Sequence, residues 1–172
     1  MLFRSGQIPF PSIAAGKRYL SRFVGQSTIS GTLLLCDRLW HNSGITITSA
    51  TAQTVNSATW PARDSNGSIN GEDILIGLEV SGATGAGTPT LTLSYTNSAG
   101  TSGRTATNAV STVASSPTGS FYPFSLAAGD VGVQSIQTYT QSATWTSGTV
   151  HLVAYRVLAS LEISNANTGN AV

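Results

Sequence analysis

The chain has 172 residues, of which 9% are charged, with eight basic against seven acidic and a net charge of +1. Soluble domains carry roughly 25% charged residues. So even a balance excludes a broad basic field for nucleic acid, and no run reaches the roughly 20 apolar residues of a bilayer-crossing helix.

Ser, Thr, Asn and Gly replace the missing charges. Short hydroxyl side chains favour strands and turns over helices. A nearly neutral surface opposes close packing of many copies only weakly, which suits an assembly. A secreted β domain with an ordinary polar surface has the same composition. Met1-Leu2-Phe3-Arg4 has the look of a signal peptide start, but Pro9 and Pro11 interrupt any apolar core, so no cleaved signal is expected. The one cysteine, Cys36, makes no internal disulfide and reads as a buried, inert thiol.

In chain order, residues 1–17 hold two prolines and no amphipathic period, and read as an extended arm. Phe3, Ile8, Phe10 and Ile13 would be exposed on an isolated arm, with Arg4, Lys17 and Arg18 as a local basic excess. These seven are the candidate partner-binding residues. Residues 18–162 then read as a β domain, and 163–172 as a polar tail.

Tyr19 to Val24 is expected to be a strand. Gly31 to Trp40 is the most apolar run and is expected to be central, covered on both faces. Ile45-Thr46-Ile47-Thr48 alternates and starts another strand. Residues 63–71 form a long polar loop. Ile74, Ile76, Leu78 and Val80 share one face of a strand, with Leu75, Gly77, Glu79 and Ser81 on the other. Gly82 to Gly87 reads as a hairpin turn. Leu91, Leu93 and Tyr95 alternate with Thr and Ser, and Asn97-Ser98-Ala99-Gly100 then turns the chain into a returning strand from Arg104 to Val113.

Pro123 confines Phe121 to Phe124 to an edge or a strand end. Val133 to Trp145 and Thr149 to Leu161 are the last strands. Many short strands without βαβ alternation indicate an all-β fold, a β-sandwich or barrel, with a jelly roll as the first choice.

Chemistry has few candidates. His41 and His151 lie in no metal or catalytic motif. Glu72 and Asp73 are adjacent on a strand and face opposite sides, so they do not form a glycosidase pair. Trp40, Trp60 and Trp145 could stack on a sugar, or serve as core and interface anchors. Asp64, Asn66, Ser68, Asn70 and Glu72 alternate and could offer oxygens to calcium. Gly67 and Gly71 fall at the fourth and eighth positions of that run, where an EF-hand loop has its glycine at the sixth. Asx turns explain the same residues without metal. No catalytic residue and no cofactor is nominated.

Several runs carry a resemblance. They are Gly31-Thr32-Leu33-Leu34-Leu35-Cys36-Asp37-Arg38-Leu39-Trp40, Thr51-Ala52-Gln53-Thr54-Val55, Trp60-Pro61-Ala62-Arg63-Asp64 and Leu93-Ser94-Tyr95-Thr96-Asn97-Ser98-Ala99-Gly100. Arg104-Thr105-Ala106-Thr107, Pro123-Phe124-Ser125-Leu126-Ala127-Ala128-Gly129-Asp130 and His151-Leu152-Val153-Ala154-Tyr155-Arg156 complete them. Together, across most of residues 19–158, the chain resembles a family of virion structural proteins from tailed bacteriophages. The resemblance implies a non-enzymatic capsid cement or decoration protein on the head surface, made in the host cytoplasm. It would bind the major capsid protein or other virion subunits, as a homo-oligomer with a trimer favoured, and without nucleic acid or membrane. A tail or fibre component and a carbohydrate-binding β-sandwich module are the alternatives.

Overall fold

A computed structural model describes Ile8, Ala15, Gly16, residues 19–165 and residues 170–171. Among the described residues there is no helix, and the protein is all-β. The chain divides into two units, one of Met1–Leu33 with Leu161–Val172 and one of Leu34–Ser160.

In the smaller unit, β1 (Val24–Gly25) pairs antiparallel with β10 (Asn170–Ala171), so segments from opposite ends of the chain meet. The strand expected over Tyr19 to Val24 is thus reduced to this short piece. Leu161 and Ile163 are both buried here. The Thr32 hydroxyl donates to Glu162 at 2.7 Å.

One curled antiparallel sheet has eight strands, β2 (Gly31–Asn42), β3 (Gln53–Thr54), β4 (Ile74–Gly82), β5 (Leu91–Asn97), β6 (Arg104–Asn108), β7 (Phe121–Ser125), β8 (Val133–Gln141) and β9 (Thr149–Ile163). The larger unit holds all of it but the first residues of β2 and the last of β9. The spatial order of the strands is β2-β9-β4-β7-β6-β5-β8-β3. The middle junction is thin: β6 and β7 share only Thr107↔Ser125 and Asn108↔Phe124. The sheet curls enough there for the starts of β4 and β8 to meet through the bridge Glu72↔Gly132.

The inner face is the core. Ile74, Ile76, Leu78 and Val80 of β4 and Leu91, Leu93 and Tyr95 of β5 are all buried, as their alternation requires. Each such aliphatic side chain contributes roughly 1.5–3 kcal/mol on burial. The turn at Asn97 to Gly100 joins β5 to β6 as expected, with the Gly100 amide donating to the Asn97 carbonyl at 2.9 Å.

Four expectations are corrected. Gly31 to Trp40 lies in β2, at one end of the strand order, and Leu34 is exposed. Its continuous apolarity therefore does not mark a central strand. Ile45 and Ile47 are buried, but from an irregular segment, where the Ile47 carbonyl accepts from the Trp145 amide at 3.1 Å.

Gly82 to Gly87 is no hairpin turn, because β4 and β5 are not neighbours. The segment crosses between halves of the sheet and packs on residues 144–148, with Gly85 donating to Ser147 and Thr146 donating to Ala86, both at 2.9 Å.

β7 lies between β4 and β6 despite Pro123. The Pro123 carbonyl accepts from Ala109 at 2.7 Å, one residue past the end of β6. A strand residue's N–H and C=O point to the same side, so the missing donor faces the end of β6 and no bond to β4 is lost.

Candidate functional site

The polar loop before β4 is organised by one carboxylate. Asp64 is fully buried. Its Oδ1 accepts from the amides of Asn66 at 3.1 Å and Ser68 at 2.6 Å. Its Oδ2 accepts from the Ser68 hydroxyl at 2.6 Å and from the Gly71 and Glu72 amides at 3.0 Å. Burial pushes the acid's pKa up, but the Ser68, Glu72 and Asn66 hydrogen bonds outweigh it and hold the group below the ordinary range.

Both carboxylate oxygens thus face donors, an environment built for an anion rather than for a cation shell. Ser68 and Asn70 of the calcium candidate are engaged in hydrogen bonds of their own. The Ser68 hydroxyl accepts from the Asn70 amide at 3.1 Å, and Asn70 Oδ1 accepts from Gln134 at 3.2 Å. Among the described residues, no group of three or more His, Cys, Asp or Glu side chains is placed to share a metal.

A second carboxylate pins the loop before β8. Asp130 accepts from the Tyr95 hydroxyl, from Asn97 Nδ2 at 2.7 Å and from Arg104 Nε at 2.9 Å. The Arg104 guanidinium, then Tyr95 and Asn97, hold its pKa down to about 2. The Tyr95 hydroxyl in turn accepts from the Ala127 amide at 2.9 Å. Burial, and then the Asp130 carboxylate, push the tyrosine up. Together these bonds fix the loop before β8 to the end of β5 and the start of β6.

The tryptophans form no platform. Trp60 and Trp145 are buried, and their indole N–H groups donate to the carbonyls of Val133 at 2.5 Å and Val113 at 3.3 Å. Trp40 is partly buried and meets Trp60 edge-on, with centroids 5.4 Å apart. His41 and His151 are edge-to-face at 5.8 Å, and His151 is buried. Cys36 is a free thiol of intermediate burial, pushed up by that burial. A shallow groove lined by Ser57, Thr59, Ile69, Gln134 and Ser135 holds about 220 Å³, below the roughly 300–1,000 Å³ of small-molecule pockets.

What the described residues do offer is exposed apolar surface. Tyr19 is 82% exposed and Ile29 72%, with Leu20 and Val24 also above half, all in the smaller unit. In the larger unit, Leu34, Val157 and Leu158 are exposed on β2 and β9. Of the candidate arm residues, Ile8 is exposed; Phe3, Arg4, Phe10, Ile13, Lys17 and Arg18 lie outside the described residues.

No family model, curated protein or solved structure matches this chain.

The exposed set extends the candidate surface from the arm to Tyr19, Leu20, Val24 and Ile29. Their apolar types were visible in the sequence, but a strand expectation over residues 19–24 does not say that Tyr19, Leu20 and Val24 are exposed.

Proposed function

We propose that this protein is a non-enzymatic structural component of a bacteriophage particle, a cement or decoration protein that binds the head through its arm and a β-sandwich face. The observation that carries the reading is four large apolar side chains, Tyr19, Leu20, Val24 and Ile29, left exposed within one short segment. Single exposed apolar residues are ordinary, but several close together in one segment support a contact surface.

The finer fold reading is a jelly roll. It rests on the strand order, in which β2-β9-β4-β7 and β6-β5-β8-β3 form two four-stranded halves. From β2 to β9, every connection except the β5–β6 hairpin crosses from one half to the other, as in a wound double Greek key. Jelly rolls occur in capsid proteins and in lectins, so the fold alone does not choose the function. The choice rests on the apolar segment and on the resemblance of residues 19–158 to tailed-phage virion proteins.

Fractionation of purified particles into heads and tails, with the chain quantified in each, tests the reading. Many copies per head are expected. Recovery with tails, or absence from the particle, would refute the head assignment.

A further inference from the structure

The near-neutral charge of the chain conceals an asymmetry. Arg4, Lys17, Arg18 and Arg22 lie in the first 30 residues, which contain no acid. The rest of the chain holds four basic residues against all seven acids. The first portion is therefore a cation and the remainder an anion. The first portion also carries the exposed Tyr19, Leu20, Val24 and Ile29, so it is both basic and apolar.

The larger unit presents a strip of the opposite kind. Residues 69–73 run antiparallel beside residues 131–134. The Asn70–Gln134 side-chain bond, the Glu72↔Gly132 bridge, the Val133 amide on Gly71 and the Asp73 amide on Val131 fix that register. Ile69 is 46% and Val131 56% exposed along the strip. Asp73 is exposed and Glu72 half-exposed beside them. Neither carboxylate joins an ion pair among the described residues. The shallow groove bordered by Ile69 and Gln134 continues the same surface.

We propose that the basic, apolar N-terminal segment of one copy docks on the Ile69–Asp73 and Val131 strip of a second copy of this chain. The inference rests on the arm being the partner-binding segment, and it names the partner and the receiving surface. Complementarity is twofold: Lys17, Arg18 and Arg22 meet Glu72 and Asp73, while Tyr19 and Leu20 meet Ile69 and Val131. The apolar contacts hold the complex, and the rim charges govern encounter rate and salt dependence. A segment-to-strip contact is satisfied by reciprocal exchange in a two-fold dimer, by closure into a ring, or by continuation as a chain.

Sedimentation of the purified full chain, with no particle present, tests this. Wild type is expected to self-associate, and to do so less as salt rises. E72K/D73N and R18E/R22E are each expected to weaken association about tenfold or more. The Asp73→Asn change respects the positive φ of 55° at that position, which Asn tolerates. Circular dichroism checks that each variant folds. Mixing the two variants should restore association, because the unaltered segment of E72K/D73N then meets the unaltered strip of R18E/R22E.

A monomeric wild type, undiminished association of E72K/D73N, or failure of the mixture to recover would overturn the proposal. So would binding of the arm to nucleic acid in place of the second copy. Head binding is scored separately, so loss of this interface and loss of the head role are distinguishable.

Discussion

The Tyr95 hydroxyl, on the core strand β5, donates to the carboxylate of Asp130, 35 residues further along the chain. This ties a side chain that is buried against the core to a loop at the sheet's end. With Arg104 and Asn97 on the same carboxylate, three separate positions converge on one anion.

That convergence makes the protein sensitive to acid. Asp130 titrates at about 2 in the folded chain, against roughly 3.9 when unfolded. A depressed carboxylate stabilises the fold fully above its unfolded pKa, and the contribution is lost as pH falls through the folded value. Resistance to urea is therefore expected to fall as pH drops from about 4 to 2. Asp64, also depressed, acts in the same sense. Asp130→Asn should remove part of the pH dependence. An unchanged acid limb in that variant would contradict this assignment.

Asp64 is expected to be the costliest single polar residue to lose. Asp64→Ala strands the amides of Asn66, Ser68, Gly71 and Glu72. The buried Gly71 donor left without a partner, and the other lost bonds to a charged group, should together cost about 3 kcal/mol or more. Calcium or a chelator should leave the wild-type Tm unchanged, because the Asp64 oxygens already face donors. Differential scanning calorimetry reads both outcomes, and a calcium-dependent Tm would return the loop to the metal reading.

Gly71 and Gly67 give a matched comparison. Both have positive φ, 78° and 73°. A Cβ on Gly71 would fall 1.8 Å from the Val133 carbonyl oxygen, whereas at Gly67 it meets open space. Gly67→Ala should cost about 1 kcal/mol, the backbone strain alone. Gly71→Ala should cost about 3 kcal/mol or more, because the backbone itself must move. Equal denaturation midpoints for the two variants would contradict the tight packing of residues 69–73 on residues 131–134.

The strands legible in the sequence were those with one buried and one wetter face. β4 and β5 alternate, and Leu91, Leu93 and Tyr95 are all buried. β2 misled because an apolar run reads as doubly covered, although an edge strand awaiting a partner has the same composition. Pro123 misled because its position between strands depends on which side its missing donor faces. Asp64 was visible as an acid among Ser, Asn and Gly. Its role as an acceptor was not, since alternating oxygens suit a cation and a capped loop alike. The strip of Ile69, Asp73 and Val131 depends on a register between segments some 60 residues apart, which local pattern does not encode.

The central claim is that the chain joins a phage head through its N-terminal segment. Co-sedimentation of purified heads with full-length chain and with chain lacking residues 1–17 tests it most directly. The full-length protein should saturate the heads and the truncated protein should remain in the supernatant, while both keep the same far-UV spectrum. Full occupancy by the truncated chain, or no binding by the intact one, would contradict it.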